Sequence, residues 1–433
     1  MVTPALCKAN KVGQKPERTI SAGNRLVFLN RYFFPDQSAS SQMLSDLAFH
    51  LAMIGREVHV ITGKQLYDNP KVRLPAEETI KNVHVHRVAT THFGRSRLLG
   101  RSLDYLSFLA SARRLADSLL RPNDIVIAKT DPPLLSVLAM RAAKNGGAHL
   151  VNWLQDIYPD VAIQLGVQLL KGPVGWIFCY WRNQSLNAAS TNVVVGYRMK
   201  EKILSLGIPD DRIRVIHNWS DDQTIVPTGH AVNNLRYEWG LQDKFVIGYS
   251  GNLGRAHEYQ TILAASIQLL NLPHIVFLFI GGGYRFDELK HTVRKLGIER
   301  SFRFVPYQPR ANLANSLAVP DVHWISLRPE LDGLIVPSKF YGIAAAGKPM
   351  ISITARDGEI GRLVNRYNCG VVVEPGDFET LTYTIIRLSS DRNLLTLMGR
   401  RARKMLEAEF TREDSFRSWR RLFENIEKSR MAA

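Results

Sequence analysis

Phe245-Val246-Ile247-Gly248-Tyr249-Ser250-Gly251-Asn252-Leu253-Gly254-Arg255 joins an apolar run to a basic loop that carries two glycines. A run that is apolar along its length suits a parallel strand buried on both faces. A helical pattern begins near Tyr259. Strand, glycine loop and helix in this order form the repeating unit of a doubly wound sheet, in which ligands bind beyond the carboxyl ends of the strands.

The same alternation extends in both directions. Downstream lie Ile275–Gly281, Phe302–Tyr307, Asp321–Leu327, Pro349–Thr354 and Gly370–Val373. Upstream lie Arg25–Asn30, Glu57–Gly63, Val83–Val88, Asp124–Thr130, His149–Asp156, Thr191–Gly196 and Ile213–Asn218. Helical spacing separates them. After the first run, Leu44, Leu47, Ala48 and Leu51 recur at i, i+3, i+4 and i+7, and Gly55 ends the helix. So many strands alternating with helices predict an α/β chain with two mostly parallel sheets. The least regular stretch, Asp221–Asp243, is the expected linker. The reading is a flexible tail over 1–24, a first domain over 25–220, a second over 221–392, and a basic C-terminal helix over 393–433.

The 433 residues are 45% hydrophobic and 22% charged, which excludes disordered and collagen-like classes. Lys plus Arg exceed Asp plus Glu by 56 − 39 = 17, which favours anionic partners. Cys7, Cys179 and Cys369 fit neither zinc spacing nor a disulfide framework. No apolar run reaches the roughly 20 residues of a spanning helix, and the first 24 residues lack the apolar stretch of a signal peptide. The expected location is the cytoplasm, with a peripheral contact at the inner face of the cell membrane.

Loops after strands are the candidate sites. In the quoted loop, Gly251 and Asn252 present backbone to an anion and Arg255 adds a permanent charge. A second basic loop runs from Asp332 through Gly333, Leu334 and Ile335 to Lys339, opening a helix with Ser338 as its expected cap. Two such loops after strands of one domain suit a diphosphate clamp. Gly281-Gly282-Gly283 is no dinucleotide fingerprint, because Phe286 stands where the last glycine belongs. Gly283 is read as close backbone approach to a ligand. In the first half, Pro35, Ser38, Ala39 and Ser40 form a small-residue loop with room for a substrate. Asp156, at a strand end, is placed to hold or deprotonate a hydroxyl.

Together with YFFPDQSASSQMLSDLAFHLAMIGREVHVITG, IHNWSDD, AAAGKPMI, GEIGRLV and GVVVEPGD, these pieces resemble retaining glycosyltransferases of family 4, with the GT-B fold. The subgroup that it resembles builds O-antigen, capsule or colanic acid. The resemblance implies two Rossmann-like domains facing across a cleft. It implies retaining transfer from a nucleotide-diphosphate sugar, of UDP-N-acetylhexosamine type, to a saccharide or polyprenyl-diphosphate-linked saccharide acceptor. It implies no required metal and no cofactor, and the absence of a recognisable nucleic-acid-reading module in the sequence argues against a nucleic-acid partner. Asp156 matches the family's catalytic acid, and Gly283, Pro306, Tyr307 and Glu359 fall to the nucleotide and its ribose. One departure is plain. The glutamate that holds the ribose in many members falls on Gly342, with Glu330 and Asp332 close by. A non-catalytic nucleotide-sugar-binding or partner-subunit homologue and a nucleotide-sugar 2-epimerase are the alternatives.

The segment Arg95–Arg121 reads as a helix with two faces. Leu99, Leu103, Leu106 and Ala110 form an apolar stripe expected to face the core. Arg97, Arg101, Tyr105 and Phe108 form a basic–aromatic stripe expected to touch an anionic membrane.

Overall fold

The computed structural model describes residues 24–67, 69, 72–93, 98–229 and 233–431. The expected tail falls almost wholly on residues 1–23, outside the described residues. Among the described residues fourteen strands form two sheets. The first sheet holds β1 (Leu26–Leu29), β2 (Val58–Gly63), β3 (Glu77–Ile80), β4 (Val83–Val88), β5 (Ile125–Ala128), β6 (His149–Leu154), β7 (Thr191–Val194) and β8 (Ile213–Val215). Its order is β3-β4-β2-β1-β5-β6-β7-β8. The second holds β9 (Phe245–Asn252), β10 (Ile275–Gly282), β11 (Phe302–Val305), β12 (Val322–Ser326), β13 (Met350–Ile353) and β14 (Gly370–Val373), in the order β11-β10-β9-β12-β13-β14. All pairings are parallel except β3 with β4. Helices connect the strands, as two Rossmann-like sheets require. Only β3 lacked an expectation: Glu77-Glu78-Thr79-Ile80 is polar and partly exposed, as an edge strand can be.

Register sets the site. Leu29 pairs with Ala128, and Ala128 with Asn152, so the loops after β1, β5 and β6 emerge side by side. Gly251 pairs with Gly281 and Asn252 with Gly282, so the glycine loops of the second sheet do likewise. The two sets of loops meet. Ile157 N–H donates to the Leu334 carbonyl at 3.0 Å, and Asp156 forms an antiparallel bridge with Ile335. Beneath this seam one apolar cluster takes Leu154, Ile157, Val194 and Met199 from the first sheet's side and Leu331, Leu334, Phe340 and Ile343 from the second's.

The C-terminal segment is two helices, Arg392–Glu409 and Arg412–Met431, where one was expected. The chain breaks at Phe410, and Thr411 caps the second helix by accepting from Asp414 N–H at 3.1 Å. Ala402, Met405 and Leu406 of the first helix enter the shared cluster. The second helix crosses back to the first sheet. Its Phe416, Trp419, Leu422, Phe423 and Ile426 join Phe28, Leu47 and Trp153 in one core.

Candidate active site

On the first sheet's side, the Asp156 carboxyl takes a hydrogen bond from Thr130 and faces the charges of Asp131 and Lys129. Burial and the Asp131 charge push it up to about 6, against the opposing pull of Thr130 and Lys129. Lys129 itself is buried. Its Nζ donates to the Ser40 carbonyl at 2.9 Å and lies 4.0 Å from the centre of the Trp153 ring. Burial brings its ammonium down to about 7, although Asp131 and Asp156 favour the charged form.

The loop after β1 is held from within. Asp36 is buried and accepts from the backbone and hydroxyl of Ser38 and from the Tyr67 N–H. Pro35 and Ala39 are exposed beside it, and Ser40 carries the carbonyl that holds Lys129.

The helix Leu98–Leu119 corrects the expected stripes at Phe108. Phe108 is fully buried against the first sheet with Ala112 and Ala116, while Leu103 and Leu106 of the supposed core stripe are exposed. The two stripes share one spacing, and the small alanines decide which side lies close to the sheet. Arg101 donates from Nε to the Tyr105 hydroxyl at 2.7 Å, and the Arg31 guanidinium stands 4.9 Å from the same ring. Tyr105 and Arg101 feel the charge of Asp131, so they lie on the same side as the Asp156 loop. Arg97 lies outside the described residues.

On the second sheet's side, Lys339 opens the helix Lys339–Ala345 and reaches over Gly251. Ser338 sits at the cap position but makes no side-chain cap bond. A Cβ on Gly251 would lie 3.0 Å from Lys339 Cε, and the φ of +117° there suits glycine. Lys339 Nζ lies 3.2 Å from the Asn252 carbonyl and 3.2 Å from His257 Nε2. His257 Nδ1 donates to the Ser326 carbonyl at 2.7 Å. Burial and the Lys339 charge press the imidazole down to about 3, so it stays neutral and accepts from the lysine. Burial brings Lys339 down to about 8, and no carboxylate among the described residues pairs with it. Gly283 has φ +122°, and a Cβ there would fall 2.2 Å from Asn252 Oδ1. Arg255 is exposed and stacks 4.1 Å over Tyr284. Tyr307 lies against Gly282, with Pro306 exposed next to it.

The carboxylates near the second loop have structural partners. Glu359 is buried, and its Oε2 accepts from Arg198 N–H at 2.7 Å, with Tyr197 N–H donating as well. It thereby caps the helix Tyr197–Ser205 of the first sheet's side. Asp332 accepts from Glu359 N–H at 3.0 Å and from Arg198 Nε at 2.9 Å. Glu330 pairs with Arg328. Gly333 backs onto the Arg198 carbonyl, and Leu334 and Ile335 form the seam with Ile157 and Asp156. Gly342 faces Ser220 and Leu317.

The chain matches known families. The family described as "Glycosyl transferase 4-like domain" matches residues 39–219, and "Glycosyl transferases group 1" matches residues 233–405. A relative named "Probable glycosyltransferase WbjE", from Pseudomonas aeruginosa, is 30% identical over 291 residues, covering 65% of this chain and 70% of its own. The chain belongs to the glycosyltransferases. The "Putative colanic acid biosynthesis glycosyl transferase WcaI" of Escherichia coli (strain K12) is 25% identical over 369 residues, 81% of this chain and 88% of the relative. Among solved structures, Anabaena Alr3699/HepE in complex with UDP superposes with a TM-score of 0.70 at 16% identity, covering 93% of this chain and all of that one. The likeness establishes the GT-B fold.

In this glycosyltransferase Asp156 and the β1 loop lie on the first sheet's side and Lys339, Gly251 and Gly283 on the second's, and the two sides meet where Asp156 bridges Ile335. Lys129 and Thr130 escaped the sequence reading. Their signal was present in Lys129-Thr130-Asp131, three polar residues directly after an apolar strand and beside the strand that ends at Asp156.

Proposed function

We propose that the protein transfers a sugar, with retention of configuration and without a required metal, from a nucleotide-diphosphate sugar of UDP-N-acetylhexosamine type. The acceptor is a precursor of a bacterial surface polysaccharide carried on a polyprenyl diphosphate. One observation carries the reading. Lys339 is a desolvated ammonium with no acidic partner among the described residues, held over the Gly251 loop, on the side of the second sheet that meets the Asp156 loop. Such a group is stabilised by an incoming diphosphate and by the charge that grows on it as the glycosidic bond breaks. Asp156, ionised above about pH 6, holds the acceptor hydroxyl whose oxygen forms the new bond. Support for the donor class comes from HepE, which was solved with UDP and also with UDP-glucose. Support for the acceptor class comes from the colanic acid, lipopolysaccharide and capsule names of the relatives.

The test is a thermal-shift panel of UDP-, GDP-, dTDP- and CMP-sugars with EDTA present, on wild type and Lys339→Ala. One nucleotide class that stabilises only the wild type supports the clamp. Product from that donor, with the anomeric configuration read by NMR, then tests retention. Equal shifts in both proteins overturn the role of Lys339.

A further inference from the structure

Apart from Leu103 and Leu106 on the helix Leu98–Leu119, the first domain exposes a denser apolar surface elsewhere. It sits on the helix Pro173–Ala188 and the turn before it. Leu169 is 73% exposed, Trp176 75%, Tyr180 60% and Ile177 48%. Val174 and Trp181 are exposed on the same side, at positions one turn or one residue from these. The helix anchors itself by the opposite side, where Gly175, Arg182, Ser185 and Leu186 are buried. Single exposed apolar residues are ordinary, but this many on one helix face form a patch that marks an interaction site.

We propose that this face docks on an anionic lipid bilayer and so presents the acceptor side of the cleft to the membrane. Composition favours a bilayer over a protein partner. Trp and Tyr, with apolar rings and a polar edge, suit the headgroup level of a membrane. Residues 161–200 contain no Asp or Glu, Asp160 just before them is neutralised by Arg182 and Lys202, exposed Lys171 borders the patch, and the chain carries a net charge of +17. Basic residues without neighbouring acids are attracted to anionic headgroups. Among the described residues no helix is long and apolar enough to cross a membrane, so the contact is one that lies on the surface.

Continuity with the site supports the same partner. Trp181 packs on Phe178 with ring centres 5.8 Å apart, and Phe178 on Tyr158 at 6.4 Å. Tyr158 stands two residues from Asp156. A narrow cavity is lined by Asp156 and Tyr158 together with Arg182 and Leu186 of this helix. An aromatic path thus joins the exposed face to the carboxylate that meets the acceptor. The inference deepens the lipid-linked reading given above, and it is tested apart from donor chemistry.

The experiment is flotation of the full chain with vesicles of phosphatidylglycerol and phosphatidylethanolamine, at low and high salt, beside a nucleotide-sugar thermal shift on the same samples. Wild type is expected to float at low salt and less at high salt. Trp176→Ser with Tyr180→Ser is expected to lose about tenfold or more in partitioning, with the donor shift unchanged, because each ring contributes buried apolar area. Leu169→Glu with Ile177→Glu tests the same face without altering aromatic residues and is expected to behave alike. Wild type that fails to float at low salt overturns the inference, as do variants that float like wild type. A wild-type dimer that the same substitutions split, with flotation unaffected, overturns it in favour of a second copy of the chain. A missing donor shift in wild type, with flotation intact, strikes the donor reading and leaves the docking face standing.

Discussion

Lys339 and His257 form a proton-asymmetric pair: the ammonium lies 3.2 Å from an imidazole nitrogen that can only accept, because the other nitrogen donates to Ser326. The neutral histidine therefore aims the lysine without cancelling its charge. It also leaves the ammonium poorly solvated, which strengthens the response to any anion that enters.

Donor affinity follows from the state of Lys339. In the free protein its pKa is about 8, and a bound diphosphate favours the charged form. Affinity for UDP is therefore expected to be level below about pH 8 and to fall above it, with proton uptake on binding. Calorimetry in buffers of different ionisation enthalpy measures that uptake. Lys339→Met is expected to weaken binding by about 10- to 100-fold, from the 1.5–3 kcal/mol of a charge-assisted hydrogen bond, and to flatten the pH dependence. The same substitution should raise the melting temperature at pH 7. The folded pKa lies below the unfolded value, so the buried charge opposes folding until pH rises through about 8 towards 10.5.

Turnover follows from Asp156. Its carboxyl, raised to about 6, must be ionised to hold the acceptor hydroxyl as a base would. The rate is expected to fall as pH drops through about 6. Asp156→Asn should lower kcat by about 10²–10⁴-fold, the usual share of a positioned acid or base, with UDP affinity little changed. Stability gives an independent check. A carboxyl whose folded pKa exceeds 3.8 loses stability as pH rises through that interval, so Asp156→Asn should melt higher than wild type at pH 8.

The Glu359 carboxylate bridges the two halves by accepting from Tyr197 and Arg198. Glu359→Ala leaves buried N–H groups without a partner, which costs about 1–3 kcal/mol. Denaturant unfolding should show that loss, while UDP affinity stays within about threefold. A large drop in UDP affinity without loss of stability would support Glu359 as the residue that holds the ribose.

Trp419 ties the last helix to the first sheet, packed 4.8 Å from Trp153 and fully buried. Trp419→Ala should destabilise by about 3–5 kcal/mol, the range for a large buried ring. A shift in the urea midpoint with an unchanged slope is the expected signature.

The strands were legible because parallel strands buried on both faces leave continuous apolar runs, as in Ile275–Gly282 and Val322–Ser326. β3 was not, because an edge strand made of Glu77, Glu78, Thr79 and Ile80 needs no such run. The helix break at Phe410 was written in Thr411-Arg412-Glu413-Asp414, an N-terminal capping pattern hidden inside a longer amphipathic stretch. The faces of Leu98–Leu119 were not legible, since two stripes with one spacing differ only in which packs closer. Asp156, Gly251 and Lys339 could be placed at strand ends and loops from the local pattern. The partners of Glu359 could not. It is 161 residues from Arg198, and only the meeting of the two sheets makes its carboxylate a cap.

The return of the Arg412–Met431 helix to the first sheet also orders events during synthesis. A ribosome releases Trp153 and Phe28 long before Trp419, Phe423 and Ile426, which complete their core. Until some 200 further residues have been made, one flank of the first sheet stays uncovered, and the nascent chain is a client for whatever shields apolar surface at the tunnel exit. Closure of that flank comes only after the second sheet has been translated, so a finished first domain reports that the second has already been made.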